Sequence, residues 1–313
     1  MNQTASNKTA GRAGYELPSK TTPMLGATFM VFAALAFAGV NAANDWSQQF
    51  NGVSPSAVAF FQYLFALIFA LPWLWRHGRK ALATNNPGWH ILRVVLSAIG
   101  VQAFVASFAI MPFPQIIALV MVSPFFVLMG AAILLGEKVT LARILATIVA
   151  FGGAMIILEP WSANFSLMAL LPVLAAIVWA GASLITKFLT REEKPATITV
   201  YLLLLLTPIN LVFYAGSGFV IPQSSAFGLL IALGVLTALA QYFVTRAYAA
   251  ADATYLQPFD DLKLPINTLV YWLVFAYSLS SNFWPGAVLI VSASLYIALV
   301  ENRKNKTAVT LPA

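Results

Sequence analysis

The 313-residue chain contains no cysteine. That excludes disulfides, thiolate nucleophiles and sulfur-ligated metal sites. Histidine is almost as scarce: only His77 and His90 occur, in no metal-ligand spacing such as H-E-x-x-H. No Walker-type phosphate loop is present, so the chain carries no recognisable ATP site of its own. Charge is rare as well. Asp, Glu, Lys and Arg make up 9% of the residues, against about 25% in an ordinary soluble domain. No cofactor is implied by any of this.

What fills the chain instead is apolar: 60% of residues are hydrophobic. A water-soluble protein of this length could not hide so much apolar surface, because much of any folded surface stays outside. Lipid removes the conflict by solvating the outer face. The net charge of +7 does not point to nucleic acid. The basic residues lie in short connections between apolar runs, where they orient a chain in a bilayer. The expected partners are therefore membrane lipid and a small-molecule solute.

A spanning helix takes about 20 mostly apolar residues. Such runs lie near 24–43, 55–74, 88–109, 114–135, 140–159, 166–187, 196–215, 226–246, 255–277 and 283–300. Breakers separate them, among them Asn51-Gly52, Asn85-Asn86-Pro87-Gly88, Pro112-Phe113-Pro114, Gly136, Pro160, Pro195 and Gly216-Ser217-Gly218. All of the 17 Lys and Arg residues except Lys263 fall in the two tails or at every second connection. One missed or invented span would reverse that alternation downstream. Ten spans with both termini cytoplasmic are expected, in a bacterial inner membrane. Residues 1–23 and 301–313 read as cytoplasmic tails, the first of them disordered. Trp73, Trp75 and Trp89 sit near span ends and read as interface anchors.

Two segments repeat. Ala33 to Gly39 in the first span matches Ala175 to Gly181 in the sixth, and Gln102-Ala103-Phe104-Val105 in the third matches Gln241-Tyr242-Phe243-Val244 in the eighth. The two offsets are nearly equal. A repeat of five spans is odd, so the second copy enters the membrane inverted. The expected fold class is an all-α membrane protein of ten transmembrane helices in two inverted five-helix repeats, 24–159 and 166–300. Inverted repeats are a transporter architecture, with the solute near mid-membrane between the copies.

Leu134-Leu135-Gly136-Glu137-Lys138-Val139 resembles the first-repeat signature of the EamA-like branch of the drug/metabolite transporter (DMT) superfamily. Ala250 to Pro258, followed by Phe259-Asp260-Asp261-Leu262, resembles the matching second-repeat segment. The resemblance covers roughly residues 24–300. It implies ten helices around a central cavity. The solutes it implies are amino acids, riboflavin-type vitamins, S-adenosylmethionine, nucleotide-like metabolites or opine metallophores, imported or exported. One departure stands out. Members often carry a second Gly-Glu where this chain reads Phe275-Ala276-Tyr277-Ser278.

Chemistry belongs where polarity costs most, and a charge at the bilayer centre costs at least about 2.5–3.5 kcal/mol. Lys263 lies near the middle of the ninth span, with Asp260 three residues before it and Asn267 four after it, on one helical face. Asp261 is adjacent, and Gln257 lies four residues before it. Pro258 and Pro265 break the helix around the cluster, as at transporter solute sites, and Pro124 is placed to bend the fourth span. Asp260, Asp261, Lys263 and Asn267 are therefore candidate solute-binding or coupling residues, with one carboxylate as a proton acceptor or cation partner. A buried ion pair that only locks the helix is the competing reading.

Gln102 and Gln241 occupy equivalent repeat positions and could bind solute from both halves or hydrogen-bond between helices. Trp179 and Tyr242 could stack on a planar solute or simply pack. Asn41, Asn44 and Asp45 read as a hydrated helix end. Glu137 reads as a structural turn residue bound to a neighbouring helix end, with a gate as the other role. The function expected is secondary transport by alternating access, with proton coupling as one form of it. An intramembrane enzyme acting on a lipid-linked substrate is the alternative, although no nucleophile or metal partner joins the two aspartates. The apolar outer faces leave room for a homodimer.

Overall fold

A computed structural model describes residues 22–78, 82–107, 116, 119–120, 122–158, 170–276 and 281–310. Expectations on the N-terminal tail, on Pro112 to Pro114 and Pro160, and on Tyr277-Ser278 fall outside these residues. The described helices are α1 (Pro23–Gln49), α2 (Pro55–His77), α3 (Pro87–Ser107), α4 (Ser123–Leu134), α5 (Leu141–Leu158), α6 (Leu170–Leu189), α7 (Pro195–Gly216), α8 (Phe227–Ala250), α9 (Ala253–Asp260), α10 (Lys263–Phe275) and α11 (Phe283–Thr310).

Proline marks many of the starts. Pro23, Pro55, Pro87 and Pro195 open α1, α2, α3 and α7, where a missing N–H costs no helical hydrogen bond. Ser54 also caps α2, its side chain accepting from the Ala57 N–H at 3.3 Å. Pro124 falls in the first turn of α4, so it starts that helix rather than bending it. The expected ninth span is two helices, α9 and α10, separated at Asp261 and Leu262. Pro265 has no N–H to donate to the carbonyl of Asp261 four residues before it, and that carbonyl accepts the Leu264 N–H at 3.1 Å. α1 runs six residues beyond its expected end, and α11 continues to Thr310.

Among the described residues six helices are long and apolar enough to cross a membrane: α1, α2, α3, α6, α7, and α8 with its leading turn. Three shorter apolar segments, Ser123–Leu134, Leu141–Ile156 and Phe283–Ile297, accompany them. Side-chain size is distributed inside-out relative to a soluble protein. Ile133 is 77% exposed and Leu273 72% exposed, while alanines such as Ala33, Ala34, Ala175 and Ala176 are fully buried. Small residues let membrane helices approach closely. A Cβ on Gly26 would come within 2.6 Å of Ala251 Cβ.

Helices α1 to α5 pack largely on helices α6 to α11. α1 packs on α8 and α6 on α3; α2 packs on α8 and α7 on α3; α1 meets α10 and α6 meets α4. α2 with α7, and α5 with α11, close the figure. The basic connections share one end of the bundle. There, Thr22 N–H donates to Ala250 O, Asn86 Nδ2 to Glu192, and Arg191 to Leu135 O.

Candidate functional site: a polar cavity between the helices

A cavity of about 260 Å³ lies between the helices. Its walls keep helical register on both sides. α1 contributes Phe37, Val40, Asn41 and Asn44, while α6 contributes Trp179, Ala182, Ser183 and Thr186. Each α6 position lies 142 residues after its α1 counterpart. Ala59 and Tyr63 on α2 correspond in the same way to Leu202 and Leu206 on α7, at 143. α1 and α6 therefore each offer an aromatic ring and, four and seven residues later, amide or hydroxyl side chains. Residues so spaced fall on one helical face.

α9 and α10 add an ion pair. Lys263 and Asp260 form an ion pair in the cavity wall, with side chains 24% and 19% exposed. The ammonium also stands 5.1 Å from the centre of the Phe37 ring, a cation–π distance. Asn267 donates to the Lys263 carbonyl at 2.6 Å and accepts from Asn41 Nδ2 at 2.9 Å. This links α10 to α1 across the two halves. Asp261 turns the other way. It is buried away from the cavity, and its Oδ2 has no hydrogen-bond partner among the described residues. Gln257, expected within its reach, instead donates to Ala253 O at 2.7 Å.

The remaining candidates separate in the same manner. Gln241 lines the cavity. Gln102 does not: its amide donates to Asn210 Oδ1 on α7 at 3.1 Å. Trp179 lines it, its ring centre 5.4 Å from that of Phe104 and its indole lying directly on Gly100. Only glycine leaves room there, since any Cβ would collide with the indole ring. Tyr242 lies outside the lining, with its ring beside Phe243 and Arg246.

Two groups escaped the sequence reading. Asn41 and Asn44 are not a hydrated helix end, because α1 continues past them and their side chains border the cavity. Gln62, for which the sequence allows either a cavity wall or a helix contact, joins them from α2. Arg93, read as a loop-end cation, is 3% exposed and lines the opposite end beside Thr186. A polar residue near a span end looks the same in sequence whether it faces lipid headgroups or an internal chamber. The period-four spacing of Arg93, Ser97 and Val101 along one face of α3 was the available signal.

The end that carries the basic connections is tied shut. Glu137 accepts the Ala253 and Thr254 N–H groups at 2.9 and 3.0 Å, capping α9 from the other half. Arg143 reaches Thr254 Oγ1 at 2.7 Å and Asp252 at 3.0 Å. Lys187 donates to the Tyr248 and Ala251 carbonyls at 2.9 and 2.6 Å. His90 and Glu193 pair at 2.7 Å. At the far end the bonds between helix ends are fewer among the described residues, such as Ser56 with Ser217 and Tyr271 with the Asn41 carbonyl.

Comparison with known proteins gives three findings. The family model described as "EamA-like transporter family" matches residues 24–159. Two curated relatives, each named "Riboflavin transporter", align over nearly the whole chain. The one from Brucella anthropi is 49% identical over 89% of this chain and 100% of its own length. The one from Rhizobium johnstonii is 51% identical over 90% and 94%. A solved crystal structure that is 16% identical superposes with a TM-score of 0.75, over 88% of this chain and 98% of that one, so the fold is shared.

Proposed function

Because this chain belongs to the EamA-like transporter family of the DMT superfamily, we propose that it carries riboflavin, or a close flavin, across a bacterial inner membrane by alternating access. It is a multi-pass membrane transporter of small metabolites and not an enzyme. The observation that carries the finer reading is the near full-length identity of about half to two proteins named for riboflavin transport. The cavity chemistry agrees with it. Rings at Phe37, Phe104 and Trp179 suit a flat fused ring system. The amides of Asn41, Asn44, Gln62 and Asn267 suit a polyhydroxylated chain.

Ten spans in two inverted halves, with both termini cytoplasmic, are part of the same proposal. α9 and α10 form the broken ninth span, and the crossed packing partners support the inverted relation. The conformation described is then open toward the outside, with its cytoplasmic end latched by Glu137, Arg143 and Lys187. Exchange of conformation between the halves would loosen that latch and close the other end. Asp260 and Lys263 are the proposed solute-responsive pair. Asp261, buried and short of a partner, is the carboxylate proposed to take up a proton.

Purified protein in liposomes tests the solute. Saturable uptake of labelled riboflavin is expected, blocked by excess unlabelled riboflavin and altered by an imposed pH gradient. Flux equal to protein-free liposomes rules out the flavin reading. Uptake indifferent to the gradient rules out only the proton step.

A further inference from the structure

Arg93 is the most heavily buried cation bordering the cavity, and its surroundings are unusual. Its Nε donates to Thr186 Oγ1 at 2.6 Å and its Nη1 to the Ile198 carbonyl at 2.9 Å. Both are neutral acceptors. Among the described residues no carboxylate pairs with it, and Nη2 makes no hydrogen bond. A buried guanidinium normally finds a bidentate anionic partner, because its planar fork is matched by two adjacent acceptor atoms. Here the side chain is held by Thr186 of α6 and the Ile198 carbonyl of α7, and it borders an open chamber.

The polar groups of the chamber are sorted along its length. Arg93, Ser97, Ser183 and Thr186 lie toward the latched end, and Asn41, Asn44, Gln62 and Asn267 toward the far end. Trp179 lies between them on Gly100, seven residues past Arg93, or about 10 Å along α3 at 1.5 Å per residue. A flat solute stacked at Trp179 would therefore reach Arg93 with one edge and the amides with the other.

We propose that Arg93 is the specificity-determining residue for the ring end of the solute. The inference rests on the flavin reading above. A flavin presents adjacent acceptor pairs around its dione ring, the C2 carbonyl with N1 and the C4 carbonyl with N5 of the neighbouring central ring, either of which accepts from a guanidinium edge. The ribityl hydroxyls then face the amide end. The chamber reads a neutral acceptor edge and not merely an aromatic surface. Because no acid offsets Arg93 on that face, cationic rings are disfavoured there.

The test compares two flat tricyclic probes on the purified, detergent-solubilised full-length protein. Lumiflavin keeps the dione ring but lacks the ribityl chain; phenazine has three fused rings and no carbonyl. Wild-type protein should bind lumiflavin more tightly than phenazine by about 10–100-fold, the range of one charge-assisted hydrogen bond or a pair of them. Arg93→Met should remove that preference while leaving phenazine binding unchanged. Arg93→Lys should restore only part of it, since a point charge lacks the fork. Thermal unfolding and monodispersity establish that each variant is folded. A purely packing role for Arg93 would weaken both probes together and overturns the inference. Should Arg93→Met fail to fold, the wild-type comparison decides: equal binding of the two probes is also fatal to it. Wild-type protein that binds neither riboflavin nor lumiflavin overturns the flavin reading itself, and this inference with it.

Discussion

Asp260→Asn and Lys263→Met each reduce transport to background, and the double variant regains stability without regaining transport. The two single changes leave one charge of the pair without its partner. In a sealed interior that costs about 3–5 kcal/mol, and the cavity flank of this pair lowers the figure. Removing both charges leaves no orphan, so the thermal midpoint should return close to that of the wild type. Uptake should not return, because the ammonium that stands against the Phe37 ring and pairs with Asp260 is gone. Those contacts join the solute chamber to the break in the ninth span. A double variant that carries solute at the wild-type rate would make the pair a simple lock for α9 and α10. Uptake measured beside unfolding temperature for all four proteins separates the two roles.

Gly100→Ala lowers solute affinity about 10-fold or more and costs about 1–3 kcal/mol of stability, the usual range for forcing a methyl group into a filled space. The added Cβ collides with the Trp179 indole, whose other side borders the cavity. The ring must move toward the chamber or the α3–α6 contact must open. Trp179→Phe in the same chain supplies a smaller ring and should restore most of the stability. It should restore affinity only in part, since stacking area is lost. An unchanged affinity in Gly100→Ala would show that the indole retreats without entering the solute space. Flavin titration of the single and double variants in detergent provides the measurement.

Much of the scaffold was legible from hydrophobic run length, and the six long helices lie where their runs predicted. The interruption of the ninth span was visible in Pro258 and Pro265, although it falls at Asp261 and Leu262 between them. The i, i+3 spacing brought Asp260 and Lys263 together on paper, and they are paired in the structure. What could not be read was which way a polar residue faces. Asp260 and Asp261 are neighbours in sequence, yet the break in the helix sends one to the cavity and buries the other elsewhere. Gln102 and Gln241 hold matching positions, but Asn210 on α7 captures only the first. Arg93 went unrecognised because a basic residue one or two turns inside a span reads as an interface anchor. Its burial depends on α6 and α7 closing over it, which is tertiary information.

The absence of cysteine makes the central claim directly measurable, since a single introduced thiol is the only reactive one. Asn44→Cys and Thr186→Cys place that thiol at opposite ends of the chamber. In sealed vesicles of known orientation, a membrane-impermeant maleimide should label the first from the outer face and the second from the face bearing the basic connections. Riboflavin should slow both reactions, because one bound solute occupies the space between them. Labelling of both positions at rates untouched by riboflavin, or of neither position from any side, would contradict a solute pathway between the two halves.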